Sequence, residues 1–383
     1  MFKAVVGHSN DPDSVSAVEE VIQQCDSSLA GDIPKAGILF AAIDFEHSLI
    51  LQKIHQAFAG IELIGGTTDG EISSILEFQQ DSITLMLFCS DEVEIHAGVG
   101  RKVSGDPIVA TKQAVEQAKA KTTADPKLCL THPESLTTSG VSILNGLKLA
   151  LGQYVPIFGG LAADQSRYQN TFLFFQTEVL SDSVPILLFS GTILFSYGVA
   201  SGWHPIGQIS KVTKVDKNIL YEIDGKPALD FYHHYLALLP PSMEYPLAVF
   251  DQNRDNFYIR APIAYNQESG SITFFGDIPD QAIIQISEAC HEDILAASKA
   301  SFMNALNNYP GAEPSAVLFF SCVARRQILG TRAQEEYQNT KLLLPDYLPA
   351  CGFYSNGEIA PIDQVSQTQF HNETFVTLIF GNR

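Results

Sequence analysis

Short apolar runs alternate with amphipathic stretches along most of the 383 residues. In the first half, strand-like runs at 37–42 and 61–64 flank residues 46–58, where apolar side chains recur at helical spacing. Alternation of this kind is typical of α/β proteins. We therefore predict an α/β fold of mixed, strand-rich sheets flanked by helices.

The second half of the chain has the same character. Its turn sequence Asp224-Gly225-Lys226-Pro227 places proline at a suitable first helical position and predicts a helix through residue 238. A long helix is predicted over residues 281–307. A chain of this length suits two domains, which we place at residues 1–215 and 216–383.

One unit occurs three times, at residues 36–73, 127–164 and 316–361. Each copy reads as a strand, a helix, a second strand that ends in glycine, and a carboxylate a few residues later. Glycine permits close backbone approach, and strand ends in α/β sheets commonly hold the ligand. We therefore predict that the three turns converge on a ligand cavity lined by their carboxylates, Glu71, Asp164 and Glu358.

The net charge of the chain limits the classes of partner that it can bind. Lys and Arg number 23 against 43 Asp and Glu, so the formal net charge is −20. A surface this acidic repels phosphate backbones and anionic lipids, and we expect no nucleic-acid or membrane partner. The N-terminal apolar stretch is too short for a signal peptide, and the uncharged segment 183–210 is broken by proline and glycine. We therefore expect a cytoplasmic protein.

Motifs for common catalytic and metal sites are missing from the sequence. The six cysteines are widely spaced without a CxxC pair, which predicts buried, reduced thiols. Nucleophile-elbow, P-loop, dinucleotide-binding and zinc-helix patterns all fail at essential positions. We therefore expect no enzyme. An acid/base pair of Glu71 and Glu358 between the domains is the alternative.

The glycine turns also carry a resemblance to the FIST family. Residues 65–72 and 158–164 resemble the FIST N-terminal domain, residues 223–230 are similar to its junction, and residues 320–325, 351–359 and 371–374 resemble the FIST C-terminal domain. The resemblance implies a bacterial sensory module that binds a small ligand and informs a separate signalling partner. For a subset of the family it implies nitric oxide sensing by haem, with regulation of a histidine kinase in a two-component system or of a diguanylate cyclase or phosphodiesterase.

If haem b is the cofactor, its iron needs a histidine in an apolar, aromatic pocket. His204 is the foremost candidate, because it follows an uncharged strand and adjoins Trp203, the single tryptophan. His233 and His234 are alternatives, and helical geometry lets at most one of them face the iron. We expect His132 and His371 to be structural.

A second hypothesis is a sensor of a small polar metabolite, such as an amino acid, without haem. Arg325 and Arg326 follow the strand at 316–321, where they could clamp a carboxylate of the ligand or a haem propionate. Pairing with Glu335, Glu336 or Glu358 is the alternative. The predicted ligand-binding residues are Arg325, Glu71, Glu358, Asp164 and Trp203.

Two further points stay open. A ligand-free kinase adaptor is a third hypothesis for this chain. A homodimer is the commonest closed assembly of soluble proteins, but nothing in the sequence selects it.

Overall fold

A computed structural model describes residues 2–152, 154–237, 239–251, 256–345, 348–362 and 367–381. In the first half the elements are β1 (Phe2–Ser9), α1 (Ser14–Leu29), β2 (Ala36–Ala41), α2 (His47–Ala57), β3 (Glu62–Thr67), β4 (Glu71–Ser73), β5 (Glu77–Gln79), β6 (Ile83–Ser90), β7 (Val93–Arg101), α3 (Pro107–Lys119), β8 (Pro126–Thr131), α4 (Gly140–Leu151), β9 (Ile157–Gly160), β10 (Leu173–Phe175), β11 (Glu178–Leu180) and β12 (Ser183–Gly191).

In the second half they are β13 (Leu194–Ala200), β14 (His204–Asp216), β15 (Ile219–Ile223), β16 (Lys226–Pro227), α5 (Ala228–Leu236), β17 (Leu247–Phe250), β18 (Phe257–Arg260), β19 (Pro262–Asn266), β20 (Ser271–Phe274), β21 (Ile283–Glu288), α6 (His291–Asn307), β22 (Ala316–Cys322), α7 (Val323–Leu329), a 3-10 turn (Gly330–Arg332), α8 (Gln334–Lys341), β23 (Ala350–Ser355), β24 (Glu358–Pro361), β25 (Thr368–His371) and β26 (Phe375–Gly381).

Three six-stranded sheets share one design. Their strand orders are β1-β6-β2-β3-β10-β11 in the first sheet, β7-β12-β8-β9-β24-β25 in the second and β13-β26-β22-β23-β4-β5 in the third. In each, a parallel pair follows two antiparallel strands, and its crossover contains a helix. The predicted mixed α/β fold and its recurring strand-helix-strand unit are confirmed.

Each repeat gives a hairpin to another repeat's sheet. We call β1–β6, β7–β12 and β13–β26 the first, second and third repeats. The first repeat's hairpin completes the third sheet, the second's completes the first, and the third's completes the second. Strands from both sides of residue 215 therefore share the second and third sheets.

The inner faces of the three sheets meet in one apolar core. Phe88, Phe189 and Phe380 lie on equivalent strands of the three repeats, and their ring centroids are 5.6, 5.8 and 6.1 Å apart. Such spacings suit favourable aromatic contacts. Helices α1 and α2 cover the first sheet, α3 and α4 the second, and α6 and α8 the third.

A fourth sheet is inserted into the third repeat between β13 and α6. Its strand order is β18-β17-β21-β14-β15-β20-β19, with β16 paired to β15, and α5 packs against it. The predicted helix over 281–307 is therefore wrong in its first part, because residues 283–288 form β21. Ile284 and Ile286 alternate into the core, and β-branched side chains favour strands.

The cysteines are free thiols, and five of the six are buried. The expectation is wrong for Cys290, which is exposed because it precedes α6, where its Sγ donates to Asp293 Oδ2 at 2.9 Å. The described residues contain no group of three or more His, Cys, Asp or Glu placed to hold a metal ion. No helix in the described part of the chain has the length and apolar character to cross a bilayer.

Candidate functional site

The three glycine turns, which the sequence predicts to converge on a ligand cavity, meet in a closed ring of backbone hydrogen bonds. In each turn one backbone N–H donates a hydrogen bond to a backbone carbonyl in the turn of another repeat. The three bonds are Ala163 to Thr67 (2.9 Å), Asp69 to Tyr354 (2.9 Å) and Asn356 to Leu161 (3.4 Å). The side chains of three repeats therefore come together at one end of the core.

The glycines of the turns allow other parts of the protein to pack closely against the backbone of the turns. A Cβ on Gly65 would lie 1.8 Å from the carbonyl oxygen of Leu39, and a Cβ on Gly159 would lie 1.9 Å from that of Thr131. A side chain on Gly66 would meet the imidazole of His132 at 2.5 Å. Backbone contact of this closeness requires glycine.

Glu71 and Glu358 hold equivalent positions in two different sheets. Glu71 lies opposite Phe353 on β23, and Glu358 lies opposite Gly160 on β9. Both carboxyl groups are fully buried, and desolvation of the charged form raises the pKa of each to about 8. Neither is on the protein surface.

Hydroxyl groups surround both of these carboxyls. Ser82 Oγ donates to Glu71 Oε2 at 2.5 Å, and the hydroxyl of Thr68 donates to Glu71 Oε1. Ser355 and Thr374 donate to Glu358 at 2.9 and 2.8 Å. Because these hydrogen-bond donors belong to the protein itself, both glutamates stabilise the turns.

Asp164 stabilises a loop. Its carboxylate accepts from the backbone N–H groups of Tyr168, Gln169 and Asn170 at 2.8, 2.7 and 3.1 Å. It is not the structural equivalent of Glu71 and Glu358, since Leu173 occupies that place beside Gly66. The carboxylates that the sequence treats as one set thus have two different roles.

Arg325 is fully buried and makes five hydrogen bonds within the protein. Two go to Glu336 Oε1 at 2.9 and 2.6 Å, and three go to the carbonyls of Ser201, Ile294 and Glu373. Pairing with Glu336, left open by the sequence, is thus the arrangement found. A guanidinium has five N–H donors, so none is left for a ligand. Trp203 is buried with its ring 6.0 Å from this guanidinium.

His204 does not lie in the uncharged, aromatic setting expected from the sequence. It begins β14 with its side chain 66% exposed, and its Nε2 is 3.8 Å from Asp293 Oδ1. His233 and His234 are exposed on α5. These residues do not fit haem, whose axial ligand needs an enclosed apolar pocket.

His132 and His371 are buried inside the fold, as predicted. Burial lowers the pKa of each to about 4, which keeps the rings neutral. Their Nε2 atoms lie 3.2 Å from the carbonyl of Thr67 and 2.9 Å from that of Ala360. His132, which follows β8, thus joins the second sheet to β3 of the first sheet, and His371 joins the neighbouring strands β24 and β25.

Residues 164–171 form a loop that the repeat pattern does not predict. This cap loop is present only in the second repeat, between the turn and the hairpin. Gln165, Ser166 and Tyr168 have φ angles of 57°, 60° and 51°. Left-handed backbone is uncommon for such residues, and strain of this kind clusters at functional sites.

The cap loop crosses the ring of turns and contacts the other repeats. Ser166 Oγ donates to Asp69 Oδ2 at 2.7 Å and accepts from Gln327 Nε2 at 2.7 Å. Asp69 is buried and also pairs with Arg326, whose side chain is 16% exposed. Arg167 pairs with Asp44 of the first repeat.

Tyr168 extends the cap loop to the fourth sheet. Its ring lies 6.1 Å from that of Phe275, and it remains 36% exposed. The loop thus links three repeats and the inserted sheet.

Buried polar atoms without partners lie near Cys322. Both carboxyl oxygens of Glu373 and the side-chain oxygens of Asn356 and Asn372 have no hydrogen-bond partner among the described residues. Burial and the nearby charge of Glu358 raise the pKa of Glu373 well above its ordinary value, and Arg325 opposes this. The motif at 371–374, which resembles the FIST C-terminal domain, identifies this segment in the sequence. The sequence does not show that its polar side chains lack hydrogen-bond partners.

Comparison with known proteins gives a consistent family match. The FIST N domain model matches residues 35–226, and the FIST C domain model matches residues 228–361. An uncharacterized protein of Methanocaldococcus jannaschii is 27% identical over 245 residues, which are 58% of this chain and 46% of that protein. The chain thus spans less than half the length of that relative. An uncharacterized protein of Mycobacterium tuberculosis is 23% identical and covers 93% of this chain and 94% of its own.

Two solved structures are loosely similar over the whole chain. Cyanuric acid hydrolase from A. caulinodans has a TM-score of 0.40 at 10% identity and covers 100% of both chains. A chorismatase has a TM-score of 0.39 at 8% identity and covers 99% of this chain and 98% of its own.

Proposed function

Because the chain belongs to the FIST family, whose domains are associated with sensing in signal transduction, we propose that it is a sensor of a small polar metabolite and works without haem. The cap loop, whose backbone is strained, is the element that we assign to the response. The observation that carries the proposal is a set of buried polar groups without partners, in Asn356, Asn372 and Glu373. A ligand with complementary polar groups would satisfy these atoms.

The cap loop supplies the element that responds to a ligand. Its contacts with Asp69, Gln327 and Phe275 hold it against three parts of the molecule. A ligand shifts a conformational equilibrium only by its difference in affinity for the two states. A metabolite bound beneath the loop contacts it in the docked state alone, and so favours docking.

The output of the sensor is assigned to a separate protein. Two FIST domains take up residues 35–361, and we place no kinase or cyclase activity in them. The partner we propose is a histidine kinase or a diguanylate cyclase or phosphodiesterase. The net charge of −20 disfavours nucleic acid and anionic membranes as partners.

The proposal includes no reaction on the ligand. Glu71 and Glu358, the acid/base pair considered from the sequence, lie in different sheets and are braced by hydroxyl groups. Burial and the charges of Glu358 and Glu373 raise the pKa of Cys322 well above its ordinary value, which disfavours the nucleophilic thiolate.

A thermal-shift screen of the full chain tests the proposal. The panel contains amino acids, primary amines and small carboxylic acids, and a binder must raise the melting temperature because it stabilises the folded state. We expect at least one compound to do so in a concentration-dependent manner. A panel without any stabilising compound would overturn the metabolite sensor and favour the ligand-free adaptor.

An absorption spectrum tests the exclusion of haem. Protein expressed with supplementary haem should show no Soret band after purification. A band that disappears in His204→Ala would establish the haem-dependent sensor expected from the sequence instead.

A further inference from the structure

We infer that the unpaired acceptors of Asn356, Asn372 and Glu373 form a binding site for a protonated primary amine, with the carboxyl group of Glu373 as its counter-ion. This inference rests on the proposed function and names the chemical class of its ligand.

The unpaired atoms of this site are all acceptors. They are Glu373 Oε1 and Oε2 and the side-chain oxygens of Asn356 and Asn372, in residues that are at most 4% exposed. The amide of Asn356 is oriented by its own bonds, since Nδ2 donates to Ser135 Oγ and to the carbonyl of Ala162. Buried acceptors are nearly always paired in native proteins. An ammonium group offers three donors and no acceptor, which matches this set.

The chain itself brings these residues together. Ser355 on β23 lies opposite Cys322 on β22, and the N–H of Cys322 donates to the carbonyl of Thr374. Asn356 follows Ser355 and Glu373 precedes Thr374, so both residues lie at the end of β22. Asn372 is the neighbour of Glu373 in the chain. The four acceptors therefore belong to segments that meet at this end of β22.

Pseudo-symmetry singles out Glu373. Asp81, Asp182 and Glu373 each precede a phenylalanine of the central triad, residues 88, 189 and 380, by the same number of positions. Protein donors satisfy the first two acids: Gln165 Nε2 lies 2.5 Å from Asp81, and the N–H and hydroxyl of Ser104 both lie 2.7 Å from Asp182. The third acid has no such donor among the described residues, so a ligand supplies it.

An ionised Glu373 needs a cation beside it. Arg325 is the basic group that interacts with both glutamates, and its N–H donors are all used by carbonyls and Glu336. The described residues offer no cluster of three metal-ligating side chains, which favours an amine over a metal ion.

Calorimetric titration of the full chain tests the inference. The probes are methylamine, ethanolamine and putrescine, and the controls are ethylene glycol, which lacks the charge, and tetramethylammonium, which lacks N–H donors. We expect primary amines to bind and the controls not to bind. Glu373→Gln should weaken amine binding about ten- to hundred-fold, the usual effect of losing a charged hydrogen bond.

The repeats provide a matched control variant. Asp182→Asn changes the equivalent acid of the second repeat, whose side chain bonds Ser104 and Thr137 outside the cap loop, and it should leave amine affinity unchanged. Binding near neutral pH should also release protons, since the amine requires an ionised carboxyl. Titrations in buffers of different ionisation enthalpy measure this release, which should disappear in Glu373→Gln.

The outcomes separate this inference from the proposed function. Amine binding that persists in Glu373→Gln would overturn the site. A stabilising metabolite without an amine, unaffected by that variant, would overturn the site but leave the sensor standing. No binding by any compound would overturn both. If Glu373→Gln fails to fold, Asn372→Ala takes its place, and unchanged amine affinity there would contradict the inference.

Discussion

At the scale of single residues, burial determines the charge of the carboxyl groups around the turns. Glu71 is enclosed by Thr68 and Ser82, yet desolvation outweighs these hydrogen bonds and raises its pKa from 4.5 to about 8. The folded state therefore holds a proton on Glu71 at pH values where the unfolded chain has lost it. The same argument applies to Glu358.

This proton makes stability depend on pH. Between about 4.5 and 8 the folded state binds more protons than the unfolded state, so the free energy of unfolding falls as pH rises through this window. We expect Glu71→Gln to flatten the fall. Urea unfolding of both proteins at pH 5 and pH 8 measures the effect. An equally steep fall in the variant would show that Glu71 is ionised in the folded protein.

Arg325 should be far more important for stability than an exposed arginine. Arg325→Ala leaves Glu336 buried without its cation and should lower the free energy of unfolding by about 3–5 kcal/mol. Arg332 pairs with Glu292 and Glu335 near the surface, and Arg332→Ala should cost much less because exposed ion pairs contribute little. Chemical denaturation compares the two variants, and similar losses would contradict a special role for the buried pair.

At the scale of elements, the cap loop depends on one side chain. Asp164→Ala removes the acceptor for three consecutive backbone N–H groups, at residues 168–170. We expect faster hydrogen exchange across the loop, measured by mass spectrometry, with little change in the core strands. Asp44→Ala is the control, because it removes only an exposed ion pair of the same loop. Unchanged exchange in Asp164→Ala would mean that other contacts hold the loop.

The sequence predicts the strand-helix-strand units because each buried strand and helix face has its own hydrophobic period. It fails at β21, where a strand and the following helix have similar apolar content and no proline separates them. The cap loop lacks glycine, so its left-handed residues leave no sign in the sequence. The unpaired state of Glu373 depends on which donors the whole fold places near it, which local pattern does not encode.

At the scale of the whole molecule, three phenylalanines join the repeats. Phe88→Ala, Phe189→Ala and Phe380→Ala should each lower the free energy of unfolding by about 3–5 kcal/mol, because each leaves a cavity in the shared core. Equilibrium denaturation should give similar losses for the three variants. A much smaller loss at one position would show that the core does not rely equally on the three repeats.

Because the three repeats exchange hairpins, no repeat can separate from the other two by itself. Each of the three six-stranded sheets is completed by a hairpin from another repeat, so displacing one repeat disturbs the other two. A large rearrangement of the three repeats is therefore energetically costly. We expect a signal to pass through the parts of the molecule that depart from the threefold pattern. These are the cap loop and the fourth sheet, and they touch where Tyr168 packs on Phe275.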